Sequence, residues 1–269
     1  MQTIGKTLNQ QPQDSDPALT ARGYASLVES WRRLAQLAPS SVIEAGEGYT
    51  LISRHSRQPF FNLLFLTSVP TNLGALLAHA RTFFSVSQQA PWSVQAMGAV
   101  AEALAPEAAA FGLVHTDAEP AMLLTPLVQR PPVQSELAIR PVETMEQLSA
   151  FDEIVNTSFG IPSEPSRTMS TLADYQRVNL TPYLGFVDGV PAVTALRSPA
   201  YGVAMLHVIC TLPTHRRRGF GEAMTWRAAL DGIAEGCMAS FLTATPLGHS
   251  VYARMGYRDC GEVHTWNAQ

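Results

Sequence analysis

The sequence predicts an α/β fold built on a mixed sheet, and three observations carry that prediction. Residues 205 to 221 read as an apolar strand, a glycine-punctuated turn holding Arg216, Arg217 and Arg218, and the start of an amphipathic helix. Asp188-Gly189 lies between two apolar runs, a two-residue hairpin signal because both turn positions must tolerate positive φ. From about 136 to 266 the candidate elements follow the order β-α-α-β-β-β-α-β-α-β, mixing hairpins with helical crossovers.

Composition bounds the class. The 269 residues are 46% hydrophobic and 15% charged, enough core material for one large domain or two modest ones. No apolar run reaches the ~18 residues of a membrane span. Met1 to Pro17 are polar, lack a signal-peptide core and read as a flexible tail. Cys210, Cys237 and Cys260 are widely spaced and without a metal pattern, which fits free thiols in a reducing cytoplasm. A net charge of -4 argues against general nucleic-acid affinity, so the three arginines mark a local site for a small anion.

In the N-terminal half, Leu19, Leu27, Trp31, Leu34 and Leu37 share one face of a helix. Tyr49–Ser53 and Phe60–Leu66 are strand candidates, and Thr71 or Asn72 caps a helix running to Phe84. An alanine-rich helix is predicted over Gln95–Ala110, then a strand over Ala121–Leu124. His55, His79 and His115 stand apart from one another and from carboxylates at ligand spacing, and Trp31 and Trp92 read as core or interface. Residues 125–135, with Pro126, Pro131 and Pro132, read as a linker between domains at 18–124 and 136–269.

In the C-terminal half, a strand at Leu137–Arg140 precedes a helix over Glu143–Ser158, a proline-bearing loop and a helix over Thr168–Val178. Tyr183–Val187, Ala192–Leu196 and Val203–Thr211 form a meander whose last strand is apolar enough for a central position. The helix after Gly219 places Phe220, Ala223, Trp226 and Leu230 at helical spacing. A strand at Ala239–Ala244, a helix from Pro246 to Met255 and a strand at Glu262–Trp266 complete the chain.

On these residues the C-terminal half resembles the GNAT superfamily of acyl-CoA-dependent N-acyltransferases. Arg216-Arg217-Arg218-Gly219-Phe220-Gly221 looks like the family's [Gln/Arg]-x-x-Gly-x-[Gly/Ala] loop, and Val251 to Tyr257 like its Leu-Tyr-x-x-x-Gly-Phe ending. The element order agrees. Thr245 stands where the family often has an Asn touching the pantetheine arm, and Gly248 where Ala is common. The helix ending in Phe111-Gly112-Leu113 echoes Met255-Gly256-Tyr257, so the first half reads as a degenerate GNAT-like copy without the cofactor motif; an unrelated α/β unit is the alternative.

The resemblance implies acetyl-CoA as cosubstrate and no metal. Backbone N–H groups and side chains of Arg216, Arg217, Arg218, Gly219, Phe220, Gly221 and Glu222 would hold the pyrophosphate at a helix start. The main chain of Ile209, Cys210 and Thr211 would pair with pantetheine, Cys210 itself reading as a small buried hydrophobe. Tyr252 would protonate the departing CoA thiolate. Met205 occupies the position where some members carry a glutamate base; His207, two residues on and on the same side, is the candidate base, against a core histidine or a water relay. Asp152, Glu153, Glu164 and Asp174 fall where the family walls its acceptor site, or on a solvated face.

The expected activity is transfer of an acetyl group to a primary amine by direct attack in a ternary complex in the cytoplasm. The alternative is a non-catalytic acyl-CoA-binding module whose first half contacts a partner. The acceptor is a small-molecule or peptide amine, not nucleic acid or membrane, and monomer or homodimer stay open.

Overall fold

The computed structural model describes residues 17–85, 90–127, 136–160 and 170–269. The first half runs α1 (Pro17–Gln36), β1 (Val42–Gly46), β2 (Tyr49–Ser53), β3 (Asn62–Leu66), α2 (Leu73–Ser85), β4 (Ser93–Met97), α3 (Ala99–Ala108) and β5 (Leu113–Leu124). The second runs β6 (Ala138–Pro141), α4 (Met145–Phe159), α5 (Leu172–Arg177), β7 (Thr181–Val187), β8 (Val190–Ala200) and β9 (Val203–Thr211). It ends with α6 (Phe220–Ala234), β10 (Ala239–Thr243), α7 (Pro246–Met255) and β11 (Arg258–Ala268).

Local chemistry sets many of these boundaries. Asp188 and Gly189 have φ of 50° and 81°, closing the β7–β8 hairpin with Val187 opposite Val190. Tyr201 and Gly202 do the same for β8–β9, with Ala200 opposite Val203. Asn72 accepts from the Ala75 N–H at 2.9 Å ahead of α2, and Thr171 closes a capping box with Asp174.

The strands form one sheet in the order β1-β2-β3-β4-β11-β5-β10-β9-β8-β7-β6. A repeat is visible in that order. The run α1-β1-β2-β3-α2-β4-α3-β5 has its counterpart in α5-β7-β8-β9-α6-β10-α7-β11. Parallel pairing of β3 with β4 matches parallel pairing of β9 with β10. The last strands are exchanged: β5 of the first half pairs with β10, and β11 of the second pairs with β4. β5 and β11 also pair with each other, so the halves meet through main-chain hydrogen bonds.

Helices cover both faces. On one, α6 and α7 pack Met224, Ala228 and Met255 over Leu206 and Leu242, while α2 and α3 pack Leu77 and Leu104 with Leu64 and Val94. On the other, α4 packs Leu148 and Phe151 over Leu184 and Phe186. There α1 crosses the middle of the sheet, setting Leu27 and Val28 against Met205, Phe241, Ala121 and Val263. This approach needs Gly23, where a Cβ would fall 2.2 Å from the Phe241 ring. A helix of the first half thus roofs the central strands of the second.

Several sequence-based expectations change. Gln95–Met97 belong to β4, and the alanine-rich helix starts only at Ala99, because β4 lies between β3 and β11 and sheet pairing outweighs alanine's helix preference. β1 has no sequence signal: it is an edge strand with a largely exposed pattern. β11 and β5 are much longer than Glu262–Trp266 and Ala121–Leu124, because their added residues pair with each other. Of the linker, Thr125 to Leu127 are described, and Leu127 is buried with its N–H on Met238 O at 3.1 Å. The remainder of the linker, the tail up to Asp16, and Glu164 with its loop lie outside the described residues.

Candidate acyl-CoA site

The site begins where two parallel strands part. β9 and β10 pair only from Val203↔Ala239 to Met205↔Phe241. β9 then continues through six more residues to Thr211, still paired with β8 but no longer with β10. β10 keeps its other edge on β5 up to Thr243↔Ala121. The result is a V-shaped gap with an unpaired main-chain edge along β9.

A bulge aims that edge. Between Thr194↔Cys210 and Leu196↔His207, β9 carries one residue more than β8. Val208 takes up the extra length with φ of 44°, unusual for a β-branched residue, and its carbonyl accepts from Thr194 Oγ1 at 2.9 Å. Beyond it, Leu212 N–H donates to Ala192 O on β8. Alternation then points the polar groups of Thr211 and Ile209 into the gap, while those of Cys210 face β8. Of Ile209, Cys210 and Thr211, the first and last turn their main-chain groups to the gap and Cys210 turns its own to β8. Burial pushes the Cys210 thiol up, as befits a packed apolar residue.

The gap opens onto the basic turn. A 3-10 turn at Pro213–His215 leads into Arg216; Arg217 has φ of 65° and Gly219 of 80°. These left-handed residues coil the chain so that α6 starts with Phe220. The first helical bond runs from Ala223 N to Gly219 O at 3.0 Å, leaving the N–H groups of Phe220, Gly221 and Glu222 without intrahelical partners. Gly219 is needed for its backbone angle, since a Cβ there would meet nothing within 4 Å. Gly221 sits against the strand end, its would-be Cβ 3.6 Å from Thr211 Oγ1.

The three arginines divide. Arg216 Nε donates to Thr211 O at 2.9 Å, tying the turn to the strand. Arg218 pairs with the exposed Glu136 and lies 4.6 Å from the Phe220 ring centroid. Arg217 is exposed and makes no side-chain ion pair among the described residues, so its guanidinium is available to an anion.

Tyr252 approaches from α7, on the α6 side of the sheet. It is buried, and burial raises its phenol well above the usual range, so it is held protonated; Cys210 is the neighbouring titratable group. Gly248 makes room for the ring: a Cβ there would fall 2.8 Å from Tyr252 Cε2. Thr245 caps α7, accepting from Gly248 N at 3.3 Å.

On the opposite face His207 points toward α1, with Trp31 edge-on at 6.0 Å between centroids. Its Nε2 is buried without a partner, and that desolvation pushes its pKa down to about 4. His207 is therefore neutral near pH 7, and a weak proton acceptor. Asp174 is committed to Thr171 and Arg177, and Glu153 is exposed.

The sequence missed Glu119. It lies on β5, two residues before Ala121, on the face carrying Ala121, Leu123, Phe241 and Met205. Its polar neighbour is Thr243 at the open end of β10, and burial raises its pKa. Only the strand exchange brings it here, and no local pattern announces that.

Comparison with solved structures settles the architecture. A GCN5-related N-acetyltransferase from Kribbella flavida superposes with a TM-score of 0.67 at 20% identity, covering 91% of this chain and 95% of that one. The chain has the GNAT fold. An acetyltransferase of the GNAT family from Novosphingobium aromaticivorans matches with a TM-score of 0.58 at 16% identity, over 94% of this chain and 99% of that one. A tandem GNAT protein from the clavulanic acid biosynthesis pathway gives 0.58 at 13% identity, over 92% and 96%. No protein-family model and no curated protein matches the sequence. Among the described residues, no cluster of three or more His, Cys, Asp or Glu could hold a metal, and no helix is long and apolar enough to cross a membrane.

Proposed function

We propose that the protein is an N-acetyltransferase that moves an acetyl group from acetyl-CoA to a primary amine within a ternary complex in the cytoplasm. The observation that carries this reading is the unpaired edge of β9 from Leu206 to Thr211, which runs directly into the N–H-rich start of α6. An extended pantetheine arm matches the edge, with Ile209 and Thr211 offering main-chain groups, and a pyrophosphate matches the helix start. Arg217 supplies charge from the rim. Thr245 flanks the end of β10, where the arm would pass.

In this reading the amine nitrogen attacks the thioester carbonyl from the α1 side, a C–N bond forms, and the C–S bond breaks. The thiolate leaves toward Tyr252, whose phenol gives it a proton. Burial holds that phenol protonated, so its proton is in place when the thiolate departs. His207 lines the acceptor side as a neutral imidazole, and as the base proposed from sequence it would have to work against its depressed pKa.

Release of CoA thiol with a panel of primary amines tests the reading, alongside calorimetric titration of acetyl-CoA. Tight binding plus amine-dependent thiol release is the expected result. Binding without release from any amine would favour a non-catalytic acyl-CoA module instead.

A further inference from the structure

We infer that Glu119, contributed by the first half through the exchanged strand β5, receives the ammonium group of a cationic acceptor and takes up its proton before attack. This rests on the acyltransfer reading and names the substrate class and base within it.

Placement comes first. Pairing of Thr243 with Ala121, and the bond from Ala244 N to Pro120 O at 2.9 Å, fix β5 along the outer edge of β10 up to the point where the gap opens. Glu119 is the next residue outward on the face shared with Ala121 and Leu123. His207 occupies the same face on β9, across the gap. Tyr252 belongs to the opposite face. A thioester lying in the gap would thus have its acceptor side toward Glu119 and its sulfur side toward Tyr252. β10 lies between Glu119's strand and β9, and because β9 and β10 part beyond Met205 and Phe241, Glu119 flanks the β10 side of the opening and His207 the β9 side.

Chemistry agrees with placement. Val263, buried, stands directly opposite Glu119 on β11, and Asp117 lies two residues away on β5. Thr243 is its polar neighbour on β10. Desolvation and the Asp117 charge raise the carboxyl's pKa, while Thr243 lowers it. Among the described residues no ion pair involves this half-buried carboxylate, and an incoming ammonium would satisfy its charge. Balance is simple: R–NH3+ gives one proton to the Glu119 carboxylate, directly or through water. The free amine then attacks, Tyr252 protonates the thiolate as the C–S bond breaks, the surplus proton on the acylated nitrogen passes through water to the tyrosinate, and Glu119 releases its proton to solvent. His207, neutral and unpartnered, borders the same pocket without competing for that proton.

The test compares two nucleophiles on wild type and Glu119→Gln at saturating acetyl-CoA. Hydroxylamine is uncharged near neutrality and needs no base to unmask it; n-propylamine is a cation and does. For Glu119→Gln the expected result is a drop of about 10²–10⁴-fold in kcat/KM with n-propylamine and near-normal thiol release with hydroxylamine. Glu119→Asp should restore part of the loss. Equal losses with both nucleophiles, or no loss with n-propylamine, would overturn the inference, as would a wild type that uses hydroxylamine but no cationic amine. Should Glu119→Gln not fold, Thr243→Val, which replaces the carboxylate's polar neighbour by an apolar one of the same size, must lower n-propylamine turnover selectively. Wild type that fails to bind acetyl-CoA in calorimetry would instead sink the acyltransfer reading itself.

Discussion

The parallel pair β9/β10 and its counterpart β3/β4 share a topology and differ in one respect: the length of the leading strand past the last pair. β3 ends at Leu66, which is also its last pairing residue with β4, opposite Ala96. β9 goes on for six residues beyond Met205. No unpaired main chain is left on β3, and the chain turns away at once, with Thr67 N bonded to Gly48 O at 2.8 Å. The segments after the two leading strands differ too. The second half has Arg217, Gly219 and a long helix; the first has Val69-Pro70-Thr71-Asn72 and a side-chain-capped α2. On the proposed function, the overhanging strand and the uncapped helix start together make the acyl-CoA site. The first half has neither, and instead supplies a roof, α1, and a rim strand, β5.

Four experiments put that contrast at risk. The largest effect is expected from Gly219→Glu, which puts a side chain into a left-handed position and a negative charge at the helix start. Acetyl-CoA affinity should fall at least about 100-fold by calorimetry, whereas Val69→Glu at the corresponding place in the first half should leave it unchanged. Next, Tyr252→Phe should lower kcat by about 10²–10⁴-fold in the thiol-release assay while acetyl-CoA still binds. Unchanged turnover would remove the acid from the mechanism.

A third effect concerns stability and pH. His207 has a folded pKa of about 4, against about 6.5 when unfolded. Above the unfolded value the residue is neutral in both states and costs nothing. As pH falls from there toward 4 only the unfolded state takes the proton, so folding is penalised by up to about 3 kcal/mol. Denaturant unfolding of His207→Phe should lose less stability than wild type between pH 7 and 4. The smallest effect belongs to Thr245→Ala: about 1 kcal/mol lost from the α7 cap in the same denaturation, with acetyl-CoA affinity nearly intact. The first half offers the contrast, since α3 begins at Gly98 with no side-chain cap.

Legibility divided along similar lines. Asp188-Gly189, the apolar run of β9 and the basic glycine turn each carry their instruction locally, in turn angles, periodicity and helix-start chemistry. The meander, the turn into α6 and the helix that carries Tyr252 could therefore be read from residues alone. Pairing partners could not. Nothing in Leu113–Leu124 says that it lies beside β10, and nothing in Arg258–Ala268 says that it lies beside β4. Glu119 was invisible for that reason, because its role depends on a neighbour more than 100 positions away. Gln95–Met97 reads as helix because residues just before an alanine-rich run look like more helix until β3 and β11 claim them.

On the proposed function, one half binds acyl-CoA and the other does not. Calorimetric titration of the full chain with acetyl-CoA reads this as a stoichiometry. One equivalent per chain is expected, and it should be lost in Gly219→Glu. Two equivalents, or one that survives Gly219→Glu, would show that the asymmetry between the halves is not what makes the site.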